Sequence, residues 1–162
     1  MRIFTRLCPV VLLVFYFSSA ALAQSAWVST ATRAYPVQGF QNATLLGPLG
    51  SSTSIHIAVG LLEQNADQIQ PTLKRMITPG DPLYGTFFTV QQFVAQFGPT
   101  PAQVQAVQNY LSRNGFSNVT VADNQLLIEA DGTAANVQTA FNTALMQYSV
   151  NGTTVYVNAT DA

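Results

Sequence analysis

The chain holds 162 residues, the length of one domain. Only 8% of them are charged against 48% hydrophobic, and six basic residues stand against seven acidic ones. That balance argues against a nucleic-acid partner, which needs a basic stripe for the phosphate backbone. The single cysteine rules out an internal disulfide framework, so stability must come from a core.

The first segment, residues 1–23, has the layout of a secretory signal peptide. Arg2 and Arg6 supply a positive start, Val10 to Phe17 is an unbroken apolar run, and Ser18 to Ala23 ends in a small-x-small site. Cleavage is expected between Ala23 and Gln24, giving a secreted or extracytoplasmic protein. A membrane anchor is the alternative, but the run is much shorter than the roughly 20 residues a spanning helix needs. Cys8 precedes the apolar run, which weakens a lipoprotein reading and leaves the mature chain without cysteine. Of the basic residues, Arg33, Lys74, Arg75 and Arg113 would remain. Neutral polar residues fill the surface positions, leaving apolar surface that a partner could cover; a plain secreted surface reads the same way.

Residues 24–53 show no sustained apolar period and carry Pro36, Gly39, Gly47, Pro48 and Gly50, so they read as an extended arm or linker. The compact domain is expected over residues 54–160. Ile55, Ile57, Val59 and Leu61 alternate with His56, Ala58 and Gly60, the pattern of a half-buried strand. Asn65 with Gln68 opens a helix with Ile69, Leu73, Met76 and Ile77 as its stripe, and Pro71 either starts or kinks it. Thr89 with Gln92 opens a short second helix. Thr100-Pro101-Ala102-Gln103 opens a third, which ends at Asn114-Gly115.

Two short strands follow, Phe116 to Val121 and Gln125 to Asp131, with a turn at Asp123-Asn124. Thr133 caps a helix whose stripe is Val137, Ala140, Phe141, Ala144 and Leu145. Gln147 to Val150 and Thr153 to Val157 flank Asn151-Gly152, a hairpin signal. The order is that of a split βαβ plan with extra helix in its first crossover. The expected class is α+β: a ferredoxin-like open-faced sandwich, an antiparallel sheet with helices on one face.

Four blocks recur in a definite order: Asp81-Pro82-Leu83-Tyr84-Gly85; Thr89-Val90-Gln91-Gln92-Phe93 to Phe97-Gly98-Pro99-Thr100; Asn109-Tyr110-Leu111 to Asn114-Gly115-Phe116; and Gly132-Thr133 to Phe141-Asn142-Thr143-Ala144-Leu145. Each alone is ordinary turn and cap chemistry. As an ordered set, covering roughly residues 54–160, they resemble the activation prodomain (propeptide) of the sedolisin, or kumamolisin-like, serine-carboxyl peptidases.

The resemblance implies a non-catalytic propeptide acting as folding chaperone and pH-released inhibitor. Its partner would be a sedolisin-type catalytic domain, in cis in the family and in trans if at all here, where that domain is expected to be missing after Ala162. The alternative is a free-standing extracellular protease inhibitor or binding module with the same fold. Family catalysis uses a serine in a Gly-Thr-Ser context; here Gly132-Thr133 leads into Ala134. No catalytic residue, cofactor or metal ligand is assigned.

The residues singled out for function are His56, Glu129 and Asp131. If Ile55, Ile57 and Val59 face the helices, His56 faces the other way. If the strands from Ser54 and Gln125 are central neighbours, Glu129 and Asp131 share its surface. That surface is read as a protease-docking face with groups able to sense pH, against the plainer reading of a solvated sheet face. Lys74-Arg75 reads as a solvated pair or, more weakly, a dibasic processing site. Phe87, Phe88, Phe93 and Phe97 read as core, and the turn at Asp81 to Tyr84 as structural.

Overall fold

Among the described residues, three of four helices start where a threonine can close the first turn on itself. The computed structural model describes residues 30, 32–34 and 42–162; the signal segment and the Ala23/Gln24 junction lie outside them. Thr89, Thr100 and Thr133 each accept from the backbone N–H three residues on, while Gln92, Gln103 and Asn136 reach back to the threonine N–H. These reciprocal bonds satisfy two of the donors that a helix start leaves open. The helices that follow are α2 (Val90–Phe97), α3 (Pro101–Arg113) and α4 (Ala134–Phe141).

Helix α1 (Ala66–Ile77) starts differently. Asn65 sits in the left-handed region and donates its side-chain amide to the Gln96 carbonyl instead of capping. Pro71 lies inside the helix and does not start it. The bond proline forfeits is the one to the Asp67 carbonyl, on an exposed face where water can replace it.

The strands are β1 (Ala43–Pro48), β2 (Ser54–Gly60), β3 (Ser117–Val121), β4 (Leu127–Thr133), β5 (Leu145–Val150) and β6 (Thr153–Asn158). They form two antiparallel sheets, in the orders β2-β4-β3 and β1-β5-β6. The α+β, ferredoxin-like class expected from the sequence stands, and β2 and β4 are neighbours as expected. The sheet, however, is divided into two.

Two local expectations are corrected. Residues 43–48, assigned above to an arm, are strand β1 and pair with β5 from Ala43 opposite Val150 to Pro48 opposite Met146. Beyond it, Leu49 is buried and bonded to Leu145, and the Ser51 and Thr53 carbonyls accept from Ala135 and Ala134 at the start of α4. Residues 43–53 are thus built into the fold. Their partner strand lies about a hundred residues on, and a register shift between Leu45 and Gly47, with Gly47 at φ +127, erases the alternation that marks a strand.

The last helix also stops earlier than its stripe suggests. Asn142 turns into the left-handed region at φ 47, its N–H bonded to the Gln138 carbonyl, and Leu145 already opens β5.

The core lies between the β2-β4-β3 sheet and helices α3 and α4. Ile128, Ala130 and Ala134 are fully buried, with Leu111, Phe116, Val104 and Val137 around them. Phe116 meets Phe141 edge-on at 6.3 Å. A second aromatic group, Phe88, Phe93 and Phe97, joins α2 to the loop before it, with centroids 5.8 and 5.6 Å apart. Residues 30, 33 and 34 attach to the end of the chain. Arg33 pairs with Asp161 at 2.9 Å, the Ala34 N–H donates to the same carboxylate, and the Thr30 N–H and hydroxyl both donate to the Ala162 oxygen.

Candidate functional site

Strand alternation sends alternate residues of β4 to opposite faces. Ile128 and Ala130 are at 0% exposure, so Glu129 and Asp131 must stand on the face away from the helices. Register then fixes their neighbours: His56 lies opposite Asp131, and Ala58 opposite Glu129. The backbone bonds flanking the pair, Ala134 to Thr53 and Leu61 to Leu126, place the ladder bonds at odd-numbered β2 residues. His56 and Asp131 are therefore a non-hydrogen-bonded pair, the kind whose side chains come closest.

The structure brings all three sequence-selected residues together. His56 Nδ1 lies 2.7 Å from Asp131 Oδ1, and Nε2 lies 3.9 Å from Glu129 Oε1. All three side chains remain about half exposed. The second oxygen of Asp131 accepts from Asn118 Nδ2 at 2.8 Å.

Asn118 was not singled out for this role above, where β3 was read only as a strand. It reaches Asp131 because the register of β3 against β4 shifts between Ser117 and Thr120, with Asn118 itself at φ 50. Such an irregularity re-aims a side chain, and local sequence carries no mark of it beyond an asparagine tolerant of that backbone.

The electrostatics follow from these contacts. Asp131 holds its proton less tightly than an ordinary aspartate, first because Asn118 donates to it and then because His56 does. His56 is raised above its usual value, mainly by its bond to Asp131, with partial burial opposing and the charges of Asp131 and Glu129 adding. The cluster is an ionisable hydrogen-bonded patch. Among the described residues, no group of His, Cys, Asp and Glu is arranged to hold a metal ion.

Other candidates resolve into structure. Arg75 pairs with Asp81 at 3.2 Å, and Asp81 also accepts the Leu83 N–H, which closes the Asp81–Tyr84 turn. These contacts hold Asp81 below the ordinary aspartate range, the backbone bond first and Arg75 second. Lys74 and Arg113 take part in no ion pair among the described residues.

Comparison with known proteins decides the family. The sequence profile described as "Pro-kumamolisin, activation domain" matches residues 41–162. The chain belongs to the pro-kumamolisin activation domain family. Its match begins two residues before β1, so the matched region takes in both sheets and the whole His56 face.

This activation domain is similar to sedolisin of Pseudomonas sp. (strain 101), at 37% identity over 95% of the chain and 27% of that protein. It is also similar to xanthomonalisin of Xanthomonas sp. (strain T-22), at 37% identity over 87% of the chain and 20% of that protein. Similarity to tripeptidyl-peptidase 1 of Canis lupus familiaris is weaker, 27% over 45% of the chain. The chain thus spans about a quarter of the length of sedolisin and a fifth of xanthomonalisin. What the chain carries of this architecture is the activation domain. Among the described residues no helix is long and apolar enough to cross a membrane.

Proposed function

We propose that the protein is the activation domain of a secreted sedolisin-type serine-carboxyl peptidase, a folding chaperone and inhibitor that docks through the open face of the β2-β4-β3 sheet and lets go in acid. The observation that carries this reading is the patch itself: a histidine and two carboxylates, interlocked and half exposed, on the sheet face turned away from α3 and α4. Family membership favours it over a free-standing inhibitor.

The patch also sets the order in which the charge changes. With His56 neutral, Glu129 and Asp131 offer two negative charges to donors on a partner. As pH falls through the raised His56 value, the ring gains a proton and neutralises part of that charge from within the domain. Asp131, whose value is depressed, gains its proton only at lower pH. Docking through these carboxylates is strongest above the His56 transition and weakens in two steps below it.

The test is affinity for a mature sedolisin-type peptidase at pH 8, 5 and 3.5. The parent should lose affinity at each step. His56→Gln should lose only the second step, and Glu129→Gln should bind more weakly at pH 8. Affinity that is flat with pH, or identical profiles for parent and variants, would remove this face from the mechanism.

A further inference from the structure

The β1-β5-β6 sheet has one polar and one apolar face. Leu145, the first residue of β5, is buried in the core beside Val137 and Ala140, and its N–H donates to the Gln138 side chain, so it points to α4. Alternation then turns Met146, Tyr148 and Val150 to the opposite face. Cross-strand partners share a face, and Tyr148 lies between Leu45 of β1 and Val155 of β6. The α4 side carries Gln147, Ser149, Thr154 and Tyr156 instead.

The apolar face is not sealed. Leu45 is 53% exposed, and Met146, Tyr148, Val150 and Val155 are half-buried. Of the three strands only Leu145 and Val157, at the core end, are buried. An antiparallel sheet with one apolar face normally packs that face on something, and three strands are marginal without such packing.

The placement and chemistry of the face say what completes it. It turns away from α4, as the His56 face does, and residues of β2 and β6 line the same cavity, so one partner can lie on both sheets. In sedolisin the matching stretch is 27% of the protein, so most of that protein lies outside the match. The three strands contain no Asp, Glu, Lys, Arg or His. A lipid surface calls for basic residues beside the apolar ones, whereas an uncharged patch of Leu, Val, Met and Tyr matches the core of a protein–protein interface.

We propose that this face is the charge-free half of the docking surface for the sedolisin-type peptidase, with the titrating half at His56. The inference rests on the docking reading above and adds a division of roles. The apolar half sets the affinity common to every pH, and the His56 half sets the slope.

The test uses the full chain and a mature sedolisin-type peptidase. Leu45→Gln with Val155→Thr should lower affinity roughly tenfold, by the same factor at pH 8 and pH 5. Leu45 is exposed on an outer strand, and Thr keeps the β-branched shape of Val, so the fold should hold by circular dichroism. Leu45→Gln alone serves if the pair fails to fold. Thr154→Val, on the other face, should bind as the parent does. Unchanged affinity in the apolar variants, while Glu129→Gln still weakens binding, would overturn this inference and leave the docking reading intact. Weaker binding in the apolar variants, with no response to Glu129→Gln or to pH, would remove the His56 half instead. A parent that does not bind overturns both. A loss that differs between pH 8 and pH 5 would refute the division of roles. If the free chain dimerises, and Leu45→Gln makes it monomeric without changing peptidase affinity, a second copy covers the face and the proposal falls.

Discussion

At the scale of single residues, the proposed docking rests on His56, whose proton affinity is raised chiefly by its hydrogen bond with Asp131. The raised value is a property of this contact, so it must vanish with the contact. In NMR titrations His56 should titrate above 6.5 in the parent and return toward 6.5 in Asp131→Asn, where only Glu129 remains as a charged neighbour. Asn118→Ala should instead act on Asp131, moving its carboxyl back up toward 3.8, because the amide that donates to it is gone. A His56 titration unchanged by Asp131→Asn would mean that the 2.7 Å contact does not form in solution.

At the scale of elements, caps and edges decide what holds. Thr100 accepts from the Gln103 N–H, while Gln103 reaches back to the Thr100 N–H. Thr100→Ala should lower unfolding stability by about 1 kcal/mol, the usual cost of losing such a cap, measured by urea denaturation. Strand β1 carries more. It supplies one of three strands in its sheet and leads into Leu49, Ser51 and Thr53, all bonded into the domain. Deleting residues 1–53 should therefore yield a chain that fails to unfold cooperatively, while the full chain digested with protease keeps everything from β1 onward. A stable, cooperative 54–162 fragment would show that β1 is an accessory strand.

The same elements show how far local sequence reaches. The threonine caps, the alternation in β2 and the Asn151-Gly152 hairpin are legible because each is a pattern within a few residues. Residues 151 and 152 adopt φ 50 and 81, the left-handed pair such a turn needs. Strand β1 is illegible because Gly47 and Pro48 imitate linker composition, and its pairing with β5 lies far along the chain. The end of α4 misleads because Ala144 and Leu145 continue the helical stripe by spacing, while Asn142 turns the backbone out of it.

At the scale of the whole molecule, pH acts through a few exposed contacts. Asp81, Asp131 and Asp161 all lie below the ordinary value of 3.8, each chiefly through a hydrogen bond: from Leu83, Asn118 and Ala34 respectively. A depressed carboxyl contributes stability above its unfolded value and loses it as pH falls through the folded one. His56, raised above 6.5, has the opposite sign: its contribution is present below 6.5 and is lost as pH rises through the folded value. The melting temperature should therefore peak between about pH 4 and 6.5 and fall on both sides. Asp131→Asn should flatten both slopes, since it removes one member of each set. A parent melting temperature that rises steadily from pH 6 to 8 would mean that the His56–Asp131 contact does not stabilise the fold.

The sequence by itself determined the three threonine-capped helix starts, the faces of β2 and β4, and membership of a propeptide family, because caps, alternation and ordered blocks are local patterns. Alternation, together with the expected pairing of the strands from Ser54 and Gln125, also put His56, Glu129 and Asp131 on one surface. Tertiary structure alone decided that residues 43–53 belong to the domain, that the sheet is divided in two, and that Asn118 completes the patch. Each of these depends on a register between segments distant in the chain. Register is set by which faces must be buried together, and no single segment records that.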